Sequence, residues 1–254
     1  MKTSTKLIII FLMCIPTSLL AYNLILKAEF NKGNFVREFR PNDNNIYIDT
    51  TVLTGFRHVV INGSLALGNG GFQLWKPHID VAIGAINNNR EDANRLSIVK
   101  ELKDNLNAIV KNDTLFISFH TNGKYDNITP VWNRADDILR IYSRAVKSIS
   151  IKYANVTVER NHDVADSLKL FIGDLSGCDI RNLYLQKLAV IAKDSSYVNI
   201  SQSNKIGVLS YSLQNKSLLS VDENPAQRYF AERIDSAAKI QISGKAIILQ
   251  KQLH

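Results

Sequence analysis

"SGCDIRN", residues 176–182, is the stretch on which the fold turns. A small turn, Ser176-Gly177, runs into Cys178, Asp179 and Ile180, so two apolar positions flank a polar one. Successive side chains of a strand point to opposite faces, which puts Cys178 and Ile180 on one face and Asp179 on the other. The same shape returns as "VTV" at 156–158, "VNI" at 198–200, "LSV" at 219–221 and "IQI" at 240–242. From copy to copy the spacings are 22, 20, 21 and 21 residues. A second set of apolar pairs runs between them: Ile149/Ile151, Leu168/Leu170, Leu188/Val190, Ile206/Val208 and Ile247/Leu249. "NPAQRYFAER" (224–233) interrupts this second set with Pro225 and bulky residues.

Two short strands per period of about 20 residues predict an all-β chain, a β-helix or β-solenoid of roughly 20-residue coils. One such coil cannot bury its own inner face; stacked neighbours do so. A β-sandwich, with strands recurring about every 8–12 residues, is the alternative.

Upstream, residues 7–26, "LIIIFLMCIPTSLLAYNLIL", carry no charge. As a helix rising about 1.5 Å per residue they reach across a bilayer core of about 30 Å. Lys2 and Lys6 precede them, which favours a cytoplasmic N-terminus and an exported remainder. Two readings compete. Residues 7–15 form a signal-peptide core with cleavage after Ala21, or the apolar run continues through 24–26 as an uncleaved anchor. Leu19 is a poor cleavage residue, which favours the anchor, and Met13 before Cys14 does not suit a lipoprotein. The expected organisation is therefore an anchor or signal peptide over 1–27, a polar connector over 28–45, a β-rich part over 46–134, and coils over 135–254. Leu96, Val99, Leu102 and Leu106 recur at helical spacing and predict a short amphipathic helix over 91–106. "AIVKNDTLFISF" (108–119) reads as a hairpin turning at Asn112-Asp113.

The net charge is +8, and three of those charges (Lys2, Lys6, Lys27) flank the apolar run. The other basic residues come singly, without the clustered footprint of a nucleic-acid protein. Mild attraction to anionic envelope surfaces is what such a charge permits. Cys14 and Cys178 are the two cysteines, so there is no disulfide framework, and Cys178 reads as a small buried hydrophobe.

A search for chemistry returns little. His58, His78, His120, His162 and His254 show no metal-ligand spacing and have no cysteine cluster beside them. His162, Asp163 and Asp166 lie in "NHDVADS", a polar corner. "GNGGF" (68–72) lacks the strand–helix context of a phosphate loop and reads as a turn. Asp80, Glu101, Asp163, Asp174 and Asp179 are scattered, without the carboxylate pairing that glycoside hydrolysis needs. Six Asn-x-Ser/Thr sequons, at Asn62, Asn112, Asn127, Asn155, Asn199 and Asn215, follow from an Asn-rich composition. No catalytic, cofactor-binding or metal-binding residue is expected, and no cofactor.

"GFRHVVINGSLALGNG" (55–70), "LNAIVKNDTLFISF" (106–119), "LSGCDIRN" (175–182) and "DSAAKIQISG" (235–244) together resemble the "head GIN" domain family, adhesin-like proteins of Gram-negative envelopes. The resemblance covers most of the chain after residue 45 and implies a β-helical fold and an exported location, with no site residues. The expected function is a non-catalytic cell-envelope module whose partner is an envelope protein or a polysaccharide, held at the membrane through residues 7–26. A polysaccharide-acting enzyme and a membrane-tethered sensing partner are the other two readings.

Overall fold

The computed structural model describes residues 15, 18, 22, 23, 27, 47–67, 70–84, 94–121, 137–161 and 165–244. The chain divides into two compact units, Met1–Asn45 and Ile46–His254. In the first, Ile15, Ser18, Tyr22, Asn23 and Lys27 have helical backbone. The rest of the expected apolar helix over 7–26 lies outside the described residues. Among those described, no helix is long and apolar enough to cross a membrane.

In the second unit, branched apolar residues alternate with polar ones, and strands result. They are β1 (Tyr47–Leu53), β2 (His58–Ala66), β3 (Phe72–Leu74), β4 (His78–Gly84), β5 (Asn94–Val99) and β6 (Leu106–Lys111). Next come β7 (Thr114–His120), β8 (Leu139–Ser143), β9 (Ser148–Lys152), β10 (Asn155–Asn161), β11 (Ala165–Gly173) and β12 (Gly177–Arg181). The last are β13 (Tyr184–Ala192), β14 (Tyr197–Ile200), β15 (Lys205–Leu213), β16 (Leu218–Val221), β17 (Ala226–Ile234) and β18 (Lys239–Ile242). One nine-stranded sheet runs β1-β5-β8-β4-β10-β12-β14-β16-β18. The other runs β17-β15-β13-β11-β9-β2-β7-β6, with β3 beside β2. Residues of both line one continuous hydrophobic core.

This arrangement corrects the expected solenoid. Both sheets are mixed: β1·β5, β5·β8, β2·β3 and β6·β7 pair antiparallel. Chain order is also broken, because β2 lies between β9 and β7 and β4 lies between β8 and β10. A run of like coils does not generate that order. What the period of about 20 marks is the register of parallel neighbours inside these sheets. Val156, Cys178, Val198, Leu219 and Ile240 stand level across β10, β12, β14, β16 and β18.

The amphipathic helix over 91–106 is a second correction. Residues 94–99 are extended, and this strand, β5, buried from Leu96 through Val99, pairs with β1 and β8. Among the described residues of that stretch only Lys100–Asn105 winds, as a 3-10 helix that buries Leu102. The turn at Asn112-Asp113 joins β6 to β7 with both residues at positive φ, the pattern of a two-residue hairpin turn.

The second set of apolar pairs is corrected too. Along β13 and β15 the buried residues before and after one point stand three apart, Leu185 and Leu188, then Ile206 and Leu209. The ladder passes over Asp166, Gln186, Gly207 and Gln227 at that level, pairing Leu185 with Ile206 and Lys187 with Val208. The partners of Leu188 and Val190 are therefore Leu209 and Tyr211, not Ile206 and Val208. Residues 224–233 do not break the sheet either, since β17 pairs along β15.

Candidate functional site

The break in alternation leaves Gln186 and Lys187 both facing outward, and a groove forms on the side of Gln186. Its volume is about 1040 Å³. Strand ends supply Tyr184, Gln186, Lys205 and Gln227, and the turns before β15 and β17 add Gln202, Asn204, Glu223 and Asn224. Gly207 belongs here for a steric reason: a Cβ at that position would stand 2.7 Å from the Gln186 carbonyl oxygen. Asn204 is 2% exposed and fully committed. Its Oδ1 accepts from the Leu183 N–H at 2.9 Å, and its Nδ2 donates to the carbonyls of Ile180 and Ser201 at 2.8 and 2.6 Å. It sets the turn. Asn224 Oδ1 accepts from the Tyr229 hydroxyl at 2.7 Å. The amides of Gln186, Gln202 and Gln227 are exposed and available to a ligand. Lys205 Nζ lies 5.1 Å from the centre of the Tyr184 ring.

A second polar centre sits on the outer face of the other sheet. Ser97, Arg140, Asp80, Thr157, Asp179, Asn199, Ser220 and Gln241 stand level across β5, β8, β4, β10, β12, β14, β16 and β18. Within this row Asp80 is held at a pKa of about 8 instead of 3.8. Burial is the main cause, followed by a hydrogen bond with Asp137 and the charges of Asp137 and Glu159, with Arg140 pulling the other way. Asp80 keeps its proton at neutral pH because burial first, and the neighbouring carboxylates second, disfavour its charged form. His78 Nε2 lies 3.1 Å from Thr157 Oγ1 and 3.5 Å from Asp137 Oδ1. Arg140 Nε is 3.7 Å from Asp80. His78, Asp80 and Asp137 offer ligand atoms within 4.8 Å of one another. The guanidinium already supplies positive charge there, so the donor set suits a shared proton better than a metal ion. Beside the row lies a cavity of about 220 Å³ lined by Asp80, Ala82, Arg140, Tyr142 and Glu159.

The other residues singled out in the sequence fall apart in space. His58 Nδ1 is 2.7 Å from Ser148 Oγ. The carbonyl of His120 accepts from Asn105 at 2.9 Å. Asp174 pairs with Lys152 at 3.0 Å, and Asp179 accepts from Asn199 at 3.2 Å. Asp166 stands at the passed-over level of β11, and Glu101 sits in the 3-10 helix. Cys178 is fully buried, and burial raises its thiol pKa. Cys14, His162, Asp163 and His254 lie outside the described residues. Sequence reasoning missed Asp137, Gln186 and Gln227. A signal for the last two existed, since Asp166, Gln186, Gly207 and Gln227 recur at the period and three of the four are polar.

No family model matches the chain, and no curated protein matches it. The chain is similar to a provisionally assigned adhesin of Bacteroides fragilis at 17% identity and a TM-score of 0.45, over 78% of this chain and 93% of that one. A provisionally assigned adhesin of Parabacteroides merdae is similar at 11% identity and a TM-score of 0.36, over 80% and 95%. So is a provisionally assigned lipid-binding protein of Parabacteroides distasonis, at 11% and 0.35, over 78% and 94%. Likeness at this level transfers no residue and no ligand.

Proposed function

We propose that the chain is an exported, non-catalytic module of the cell envelope that binds polysaccharide in the groove at Gln186. The observation that carries this reading is the lining itself. Exposed amides donate and accept at once, as sugar hydroxyls require, and the Tyr184 ring offers a flat apolar face for a pyranose. Among the described lining residues Glu223 is the one carboxylate, whereas glycoside hydrolysis ordinarily uses two. Attachment through residues 7–26, with the second unit outside the cytoplasm, completes the proposal and agrees with the head GIN resemblance.

Affinity electrophoresis of the full chain through gels containing dextran, xylan or alginate tests it. Retardation by a neutral polymer that falls about tenfold with Tyr184→Ala supports the groove; migration unchanged by every polymer sinks it. A second reading, an enzyme acting on polysaccharide, is favoured by the protonated Asp80 beside Glu159 and Arg140. Release of reducing ends by the native chain, lost in Asp80→Asn, would put that reading first.

A further inference from the structure

Beyond the ladder break, on the same outer face, β11, β13 and β15 carry a hollow of about 260 Å³ that the groove does not use. Its floor is explained by register. Lys169, Ala189 and Ser210 stand level on the three strands, and the methyl of Ala189 leaves a gap between two longer neighbours. Lys187 enters beside Ser167, its level partner, and Lys147 enters from the chain just before β9. Three lysines thus line one small cavity. Among the described residues none of them is held in an ion pair, and Lys169 Nζ rests 4.9 Å from the centre of the Phe171 ring.

An independent observation points to a ligand. Ser210 lines the hollow, is only 2% exposed, and its Oγ has no hydrogen-bond partner in the protein. A buried hydroxyl left unpaired is costly, and buried polar groups are paired as a rule. Ser210 lines a cavity shared with three lysines, so the natural partner for its hydroxyl is an acceptor carrying negative charge. Glu232 on the rim is the opposing charge and limits the affinity.

We propose that this hollow is a binding site for the oxyanion of an acidic saccharide, a carboxylate or sulfate ester. The ammonium groups neutralise the anion and Ser210 donates to one of its oxygens. Lysines act here as point charges and set charge selectivity instead of the fork geometry an arginine would impose. Assignment of the anion to a saccharide rests on the groove reading, since Gln186 and Lys187 are adjacent and a polymer in the groove reaches the hollow. The anion site itself rests on the hollow alone.

The test is calorimetric titration of the full chain with oligouronate, neutral oligodextran, inorganic phosphate and phosphatidylglycerol vesicles. The oligouronate is expected to bind more tightly than the dextran and to weaken with added salt. Lys169→Gln with Lys187→Gln is expected to weaken it about tenfold or more, and Ser210→Ala about threefold. Glu232→Gln is expected to tighten it about threefold, a gain that misfolding cannot imitate. Oligouronate binding that survives Tyr184→Ala supports the anion site even if the groove reading fails. Equal binding of oligouronate and dextran, or no response to the lysine and Glu232 variants in chains with unchanged melting, overturns the proposal. Lysine-dependent binding of vesicles or phosphate without binding of oligouronate overturns it as well.

Discussion

Replacing Asp80 with Asn should change how stability depends on pH, and the size of the change follows from the site. The carboxyl is held at about 8 in the folded chain against 3.8 when unconstrained. Below about pH 4 it is protonated in both states, and its contribution to stability is fully present. As pH rises past that point the unfolded chain releases the proton while the folded chain keeps it, so stability falls until the folded carboxyl ionises near 8. At about 1.4 kcal/mol per pH unit the loss is capped at about 6 kcal/mol. Asp80 is 18% exposed, and solvent screening there brings the realised loss to about 2–3 kcal/mol. An amide cannot ionise, so Asp80→Asn escapes this loss while keeping the shape of the side chain.

Urea denaturation of both chains from pH 4 to pH 9, followed by far-UV circular dichroism, measures the difference. The variant should gain about 2–3 kcal/mol on the native chain between pH 5 and pH 9. His78, Asp137, Glu159 and Arg140 face the group in both chains, so the difference between the two chains reports on position 80. Asp137→Asn supplies the converse, because it removes a charge that raises Asp80; the fall in stability should then end at a lower pH and be smaller. A stability difference between the native chain and Asp80→Asn that stays flat across this range would refute the proton-sharing pair.

Three further outcomes are expected. Ile180→Ala empties a fully buried position between Val158 and Ile200 and should cost about 2–5 kcal/mol by urea denaturation. Asn204→Ala strands the Leu183 N–H, while the Ile180 and Ser201 carbonyls each keep a backbone donor, and should cost about 1–3 kcal/mol while weakening saccharide binding in the groove. Cys178 should resist alkylation in the native chain and react in step with unfolding, since its thiol is buried and its pKa raised.

Local order was legible in the sequence where one period held without a break. Cys178 and Ile180 announced their strand, and the level neighbours of Cys178 followed from counting, because pairing there is in register from β10 to β18. Asn112-Asp113 announced a turn, since residues tolerating positive φ are few. The neighbours of β2 were not legible. His58 pairs with Thr114 on one side and Ser148 on the other, and such distant partners are chosen by the packing of the whole core. Leu96, Val99 and Leu102 misled because spacings of two and three coexist there, and pairing of β5 with β1 and β8 decided for the strand. Asp80 and Asp137 met for the same non-local reason: the repeat announced the polar positions from Thr157 to Gln241, but not that Asp80 joins their row.

The groove and its invisibility in the sequence share one cause. Strict alternation would have made Gln186 or Lys187 an inward residue, and burying either without partners is expensive. The ladder instead passes over one residue in each of four neighbouring strands at the same level. That shift keeps Leu185, Leu188, Ile206 and Leu209 in the core and turns two consecutive polar side chains outward. A reader who carries the period of two through the break assigns Ile206 and Val208 to the core and loses the groove. The chain, by breaking the period in register, gains two adjacent surfaces of different chemistry, one of amides and one of lysines. A break confined to one strand would disrupt its neighbours' pairing; repeated in four, it leaves the ladder intact, and at that level it is the missing side chain of Gly207 that allows the close approach to the Gln186 carbonyl.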